Sequence, residues 1–235
     1  MPATPRPPDE LRRAVAADLR PVRSLVSPAR RMLVTAAWVP LAIVLVLAFL
    51  GLRSDAQQLG WPMTWGPLIV EAALSLVLIA LALAEAVPAR SPARGRLAGT
   101  LGVAVLVFVA QALLTRSASA GVAVENPFVT HGFQCFALQV LLGVPALLLV
   151  ALLVVRAAPL RAAWAGVLGG AGAGLLADGI YRLHCPITDL RHVLPWHGAA
   201  VLILSLVGLT GGAAWERHQR RRMAERLALR SRATP

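Results

Sequence analysis

The side chains best able to ligate, titrate or exchange electrons gather in one stretch, Tyr181 to His197, which reads Tyr-Arg-Leu-His-Cys-Pro-Ile-Thr-Asp-Leu-Arg-His-Val-Leu-Pro-Trp-His. It holds three of the five histidines, one of the two cysteines, an aspartate and two arginines. The other cysteine, Cys135, lies 50 residues upstream of Cys185, with His131 four residues before it. Thiolate and imidazole bind soft and borderline metal ions, and two neighbouring thiols can close a disulfide. Cys135, Cys185, His131, His184, His192 and His197 are therefore the candidate signal-sensing residues. Among them, Cys135, Cys185, His131 and His184 form a candidate four-ligand site for zinc or a similar metal, although their spacing matches no recognised zinc pattern. Two plainer readings stand beside sensing: a constitutive structural disulfide, and cysteines that act only as small buried hydrophobes. His197 beside Trp196 also suits a helix anchor. No catalytic residue and no required cofactor is expected.

The elements that must position these groups are apolar. Of 235 residues, 57% are hydrophobic and 14% charged, and the mean hydropathy of +0.69 lies outside the range of ordinary soluble domains. An all-α polytopic membrane bundle is the expected fold class. A helix needs about 20 mostly apolar residues to cross the hydrocarbon core, and the runs predict six spans: 32–52, 65–87, 97–115, 133–155, 162–180 and 196–215. No cleavable leader is expected, because the first 31 residues are polar and the first apolar run is long enough to span.

The net charge of +12 comes from arginine, since the chain has no lysine. With the N-terminus inside, 19 arginines fall on the cytoplasmic side, and four, Arg53, Arg116, Arg182 and Arg191, fall outside. This bias predicts that both termini are cytoplasmic and that Cys135 and Cys185 share the outer face. Trp61, Trp65 and Trp196 then lie at the outer interface, and Trp164 and Trp215 at the inner one. Arginines distributed between and beyond apolar runs argue against direct nucleic-acid binding, which clusters them on a soluble face.

Within the spans, Gly166, Gly170 and Gly174 repeat at four-residue intervals, as do Gly208 and Gly212, so the last two spans are expected to pack closely. The run Gly169 to Gly174 lacks the spacing, the preceding strand and the acidic partner of a nucleotide-binding loop. Glu71, Glu85 and Asp178 lie inside spans near their ends, where a charge must pair or reach water; pairing with arginine or reaching the headgroups is expected over a proton relay. Three segments result: a cytoplasmic segment 1–31, a six-helix domain 32–215 and a basic tail 216–235, the last expected to be a solvated topology anchor, with contact to anionic lipid or to a protein partner as the alternatives. In the first, Asp9 is placed to cap a short helix on which Leu11, Val15 and Leu19 share a face until Pro21 ends it. Such a helix is marginal alone and orders against a partner groove or the membrane surface, unless it is only a juxtamembrane anchor that serves topology.

Leu11 to Leu25 resembles the start of the NrsF-type family, six-span negative regulators of extracytoplasmic-function sigma factors; the family's Asp-Leu-x-Pro-Val appears as Asp18-Leu19-Arg20-Pro21-Val22. Further marks follow in order: Glu125-Asn126-Pro127, Cys135 at the start of the fourth span, a Gly/Ala-rich fifth span, then His184-Cys185-Pro186 and Trp196. His192 and His197 depart from the pattern, standing where apolar or aromatic residues are expected. The resemblance implies an anti-sigma factor in the bacterial inner membrane whose partner is an extracytoplasmic-function sigma factor, with Leu11, Val15, Asp18, Leu19, Pro21 and Val22 as candidate sigma-binding residues. A membrane thiol oxidoreductase or a metal-handling transporter is the competing class. The first usually requires a Cys-x-x-Cys pair, which is absent, and the second requires ligands near the midplane, where Gln111 and Gln139 are the main polar residues.

Overall fold

The computed structural model describes residues 8–18, 27–87, 92–118, 131–157, 159 and 161–233. Leu19, Pro21, Val22 and the Glu125-Asn126-Pro127 motif lie outside the described residues. The helices are α1 (Asp9–Asp18), α2 (Pro28–Ala36), α3 (Trp38–Phe49), α4 (Ala56–Glu85), α5 (Arg94–Ala118), α6 (Gly132–Val155), α7 (Ala162–Tyr181), α8 (Leu190–His192) and α9 (Gly198–Ala233), with a π-turn, Val193–His197, between the last two. There are no strands among the described residues, and six helical segments are long and apolar enough to cross a membrane.

The six expected spans are present, with three differences in their bounds. The first, Ala29–Phe49, is interrupted by a turn at Ala37 between α2 and α3. Pro40 explains it: proline cannot donate to the carbonyl four residues back, and its ring clashes with that carbonyl, here Ala36. The second starts at Ala56 rather than 65, across a kink where Gly60 takes φ +71°, a conformation open to glycine. The sixth begins with α8 and continues past Trp215 to Ala233, so the basic tail is a continuation of α9. Glu216 to Leu229 contains neither glycine nor proline and is rich in alanine, leucine and arginine, which favour helix.

α7 is the axis of the bundle. Of its most apolar 18-residue window 78% is buried, against 17 to 44% in the other spans. Its small residues make this geometry available. A Cβ on Gly166 would collide with the backbone of Gly208, and one on Gly170 with the backbone of Leu204, so α9 lies directly against one side of α7. On the other side Gly172 approaches α4, where the Ser75 hydroxyl donates to its carbonyl at 2.6 Å. These contacts are the close packing of the last two spans that the glycine spacing predicts.

The three carboxylates singled out within the spans are each paired with an arginine and buried from solvent: Glu85 with Arg161, and both Glu71 and Asp178 with Arg182. None reaches the surface. At the end of the bundle away from the cysteines, Arg161 also donates to the Pro92 carbonyl (2.9 Å), and Arg31 of α2 to the Leu153 carbonyl of α6 (2.8 Å). α1 begins one residue earlier than a cap at Asp9 would place it. The Pro8 carbonyl accepts from the Arg12 amide, and Asp9 sits in the first turn, 3.5 Å from the Arg12 guanidinium.

Candidate functional site

Four chain segments converge on Cys135 and Cys185. Cys135 occupies the first turn of α6, its amide donating to the His131 carbonyl (2.9 Å). Gly132 lets the Trp196 indole lie on that turn, since a Cβ there would strike the ring. α7 ends at Tyr181, whose carbonyl accepts from the amides of both His184 and Cys185 (2.9 and 3.1 Å), turning the chain back so that Cys185 faces Cys135. Asp189 then starts α8, accepting from the Arg191 amide at 2.8 Å. The Arg191 side chain reinforces this and holds the Asp189 carboxyl below its ordinary value.

The π-turn sets the register of the two histidines. His192 and His197 are five residues apart, which in an α-helix places them about 140° apart around the axis. The wider i→i+5 turn brings such positions toward one face. Their ring centroids are 5.4 Å apart and both rings are fully buried.

The result is a closed group of four donors. The Cys135 and Cys185 Sγ atoms are 4.0 Å apart, and both thiols are free. His192 Nε2 lies 3.8 Å from Cys185 Sγ, and one ligand atom from each of Cys135, Cys185, His192 and His197 lies within 4.8 Å of every other. The Tyr181 hydroxyl donates to Cys135 Sγ at 3.6 Å. Hydrogen bonding to Cys135, together with burial, pushes the Cys185 thiol well above its ordinary value.

Behind these donors runs a chain of buried charge. His197 Nδ1 is 2.6 Å from Asp178 Oδ1, Asp178 Oδ2 accepts from Arg182 Nε at 2.7 Å, and Glu71 of α4 lies 3.6 Å from the same guanidinium. The guanidinium also stacks over Phe108 of α5, 5.4 Å from the ring centre. Arg53, paired with Asp55 at 2.6 Å, donates to the carbonyls of Arg182 and Pro186, both at 3.4 Å, pinning the α3–α4 connection to the loop that carries Cys185.

The structure brings together Cys135, Cys185, His192 and His197, but not the expected ligands His131 and His184. His131 is the left-handed residue preceding α6, with φ 54°, and is exposed. The ring of His184 turns away to the Gly51 carbonyl, 3.2 Å from Nδ1. The metal-competent group is therefore Cys135, Cys185, His192 and His197. Tyr181, Arg182 and Arg53 are additions that no spacing rule reveals, whereas Glu71, expected to pair with an arginine, is found against Arg182. Asp178, singled out as an intramembrane carboxylate, is found against His197. Of the expected sigma-binding residues, Leu11 and Val15 lie exposed on α1, and Asp18 ends that helix.

Residues 15–218 match the family model described as negative regulator of sigma F. The chain is 29% identical over 206 residues to the anti-sigma-F factor NrsF of Caulobacter vibrioides (strain NA1000 / CB15N), covering 85% of this chain and 94% of that protein. No solved structure matches the chain significantly.

Proposed function

The chain belongs to the negative-regulator-of-sigma-F family, and on that premise we propose that it holds an extracytoplasmic-function sigma factor at the bacterial inner membrane and releases it on an envelope signal. It acts as a regulator and not as an enzyme. Both termini are cytoplasmic in this reading, supported by the arginine distribution. The sigma factor is bound by segment 1–31, through α1 and the Asp18-Leu19-Arg20-Pro21-Val22 motif. Support comes from Leu11 and Val15, which are 54% and 53% exposed on a helix too short to be stable alone.

The observation that carries the sensing half is the buried Cys135–Cys185 pair, 4.0 Å apart, which joins the start of α6 to the end of α7. A peroxide, as two-electron oxidant, takes one electron pair from the two thiols; their protons leave, a disulfide forms and the peroxide is reduced to water. Bonded sulfurs stand about 2.05 Å apart, so closure brings the two sulfurs about 2 Å nearer and ties the first turn of α6 to the loop after α7. A soft or borderline metal acts on the same residues by a different displacement. α6 is the natural carrier of either movement: it holds Cys135 in its first turn and, about 27 Å away at 1.5 Å per residue, presents the Leu153 carbonyl to Arg31 of α2, the helix in which the N-terminal segment ends. Release requires that the signal favour one arrangement of these helices over the other.

Purification from native membranes tests the binding half, comparing the full chain with one lacking residues 1–31. A sigma factor that accompanies the full chain and is lost from the truncation supports it; its retention by both, or its absence from both, rejects it.

A further inference from the structure

We infer that Cys135, Cys185, His192 and His197 form a closed tetrahedral site for a divalent metal ion of the zinc class. For its physiological meaning this rests on the proposal that the cysteines sense, and it names the ligands of that site.

The geometry carries the inference. Two thiolates sharing a tetrahedral ion at about 2.3 Å stand about 3.8 Å apart, and a thiolate and an imidazole about 3.5 Å. The corresponding separations here are 4.0 Å for the two sulfurs and 3.8 Å for Cys185 Sγ to His192 Nε2. His197 supplies an independent indication. Its ring is 1% exposed, Nε2 is buried on the side of Cys135 with no oxygen or nitrogen partner, and Nδ1 is held by Asp178 at 2.6 Å. A carboxylate on one imidazole nitrogen fixes the tautomer, so that the other presents its lone pair; metal-bound histidines are characteristically held this way. Arg182 locks that carboxylate in turn.

The donor set selects the ion. Two sulfurs and two nitrogens, with no oxygen among the four, disfavour calcium and magnesium and suit zinc or a thiophilic competitor. Two thiolates neutralise the charge of a divalent ion, so a burial that would be costly for either alone becomes tolerable. All four side chains are buried and leave no open coordination position, which is the arrangement of a structural rather than a catalytic zinc site. A bound ion would clamp the start of α6 to the α7–α8 loop and to both ends of the π-turn.

The test is a cobalt titration of the full-length chain, purified in detergent, reduced and stripped of metal, followed by zinc competition. The expected result is one cobalt per chain, with thiolate charge-transfer absorption and the intense visible bands of four-coordination. Cys135→Ser, Cys185→Ser, His192→Ala and His197→Ala each weaken zinc binding by at least about 100-fold; Asp178→Asn weakens it by about 10- to 100-fold, and His131→Ala and His184→Ala leave it unchanged. His192→Cys retains binding with a shifted charge-transfer band, which separates ligand loss from misfolding. The inference falls if the wild type shows no thiolate–cobalt band, or if His131→Ala and His184→Ala abolish binding while His192→Ala and His197→Ala do not. A sigma-dependent reporter in cells carrying the same variants separates the two ideas. Cysteine-dependent release without cobalt binding ends the metal site and leaves sensing; four-ligand binding with release indifferent to the cysteines ends sensing and leaves the metal site.

Discussion

Replacing Arg182 by methionine strands two carboxylates that the fold has removed from water. Its guanidinium lies 2.7 Å from Asp178 and 3.6 Å from Glu71, both 0% exposed. At an effective dielectric of about 20, the closer pair alone contributes about 6 kcal/mol of gross Coulomb attraction. Most of this is offset by desolvation, and removing one partner of a buried pair costs about 3–5 kcal/mol because the other charge is left uncompensated. The His197 Nδ1–H remains on Asp178 at 2.6 Å and offsets part of its charge, so the lower end of that range is expected, roughly a 150-fold loss in the folded-to-unfolded ratio at about 3 kcal/mol. Unfolding in mixed micelles with increasing dodecyl sulfate, followed by tryptophan fluorescence, measures it. The Arg182→Met/Asp178→Asn double variant should recover more than half of the loss, since the asparagine oxygen still accepts from His197. A single variant within about 0.5 kcal/mol of wild type, or a double variant less stable than the single, would refute the assignment of this network as a coupled buried unit.

The α7–α9 contact leaves no room for a side chain at Gly170, so Gly170→Val should abolish a monodisperse peak in fluorescence-detected size exclusion, while Gly99→Val and Gly102→Val, with nothing within 4 Å, leave it in place. Leu11→Glu with Val15→Glu should reduce sigma-factor capture by at least about tenfold without altering the bundle's unfolding midpoint, because both residues are exposed. If α6 transmits the signal through Arg31, then Arg31→Ala retains sigma binding and loses at least half of the induced release in a reporter assay. Arg161→Met leaves Glu85 buried and should cost about 3 kcal/mol by the same unfolding measurement, with Glu85→Gln restoring most of it.

The membrane architecture was legible because runs of about 20 apolar residues permit little else, and the glycine spacing of the fifth and sixth spans anticipated the close approach of α7 and α9. Two local departures also have plain sequence causes: Pro40, which breaks the first span at Ala37, and the helix-favouring composition after Trp215, which carries α9 on to Ala233. The pairing of the cysteines followed from their shared side. Their histidine partners did not, since helical periodicity separates His192 from His197, and only the π-turn brings them to one face. Sequence adjacency made His184 the natural neighbour of Cys185, yet the turn after Tyr181 directs that ring to Gly51. Asp178 stood out as a carboxylate within a span, but its role beside His197 depends on two elements 19 residues apart meeting in space.

The central claim is that chemistry at Cys135 and Cys185 frees a sigma factor held at the other end of the bundle. The most direct measurement reconstitutes the full chain with its co-purifying sigma factor in nanodiscs, adds peroxide or a thiophilic metal ion, and follows the sigma factor remaining bound, in wild type and in Cys135→Ser and Cys185→Ser. Release from wild type and retention by both variants is the predicted result. Equal release from all three, or none from wild type after both stimuli, would contradict it.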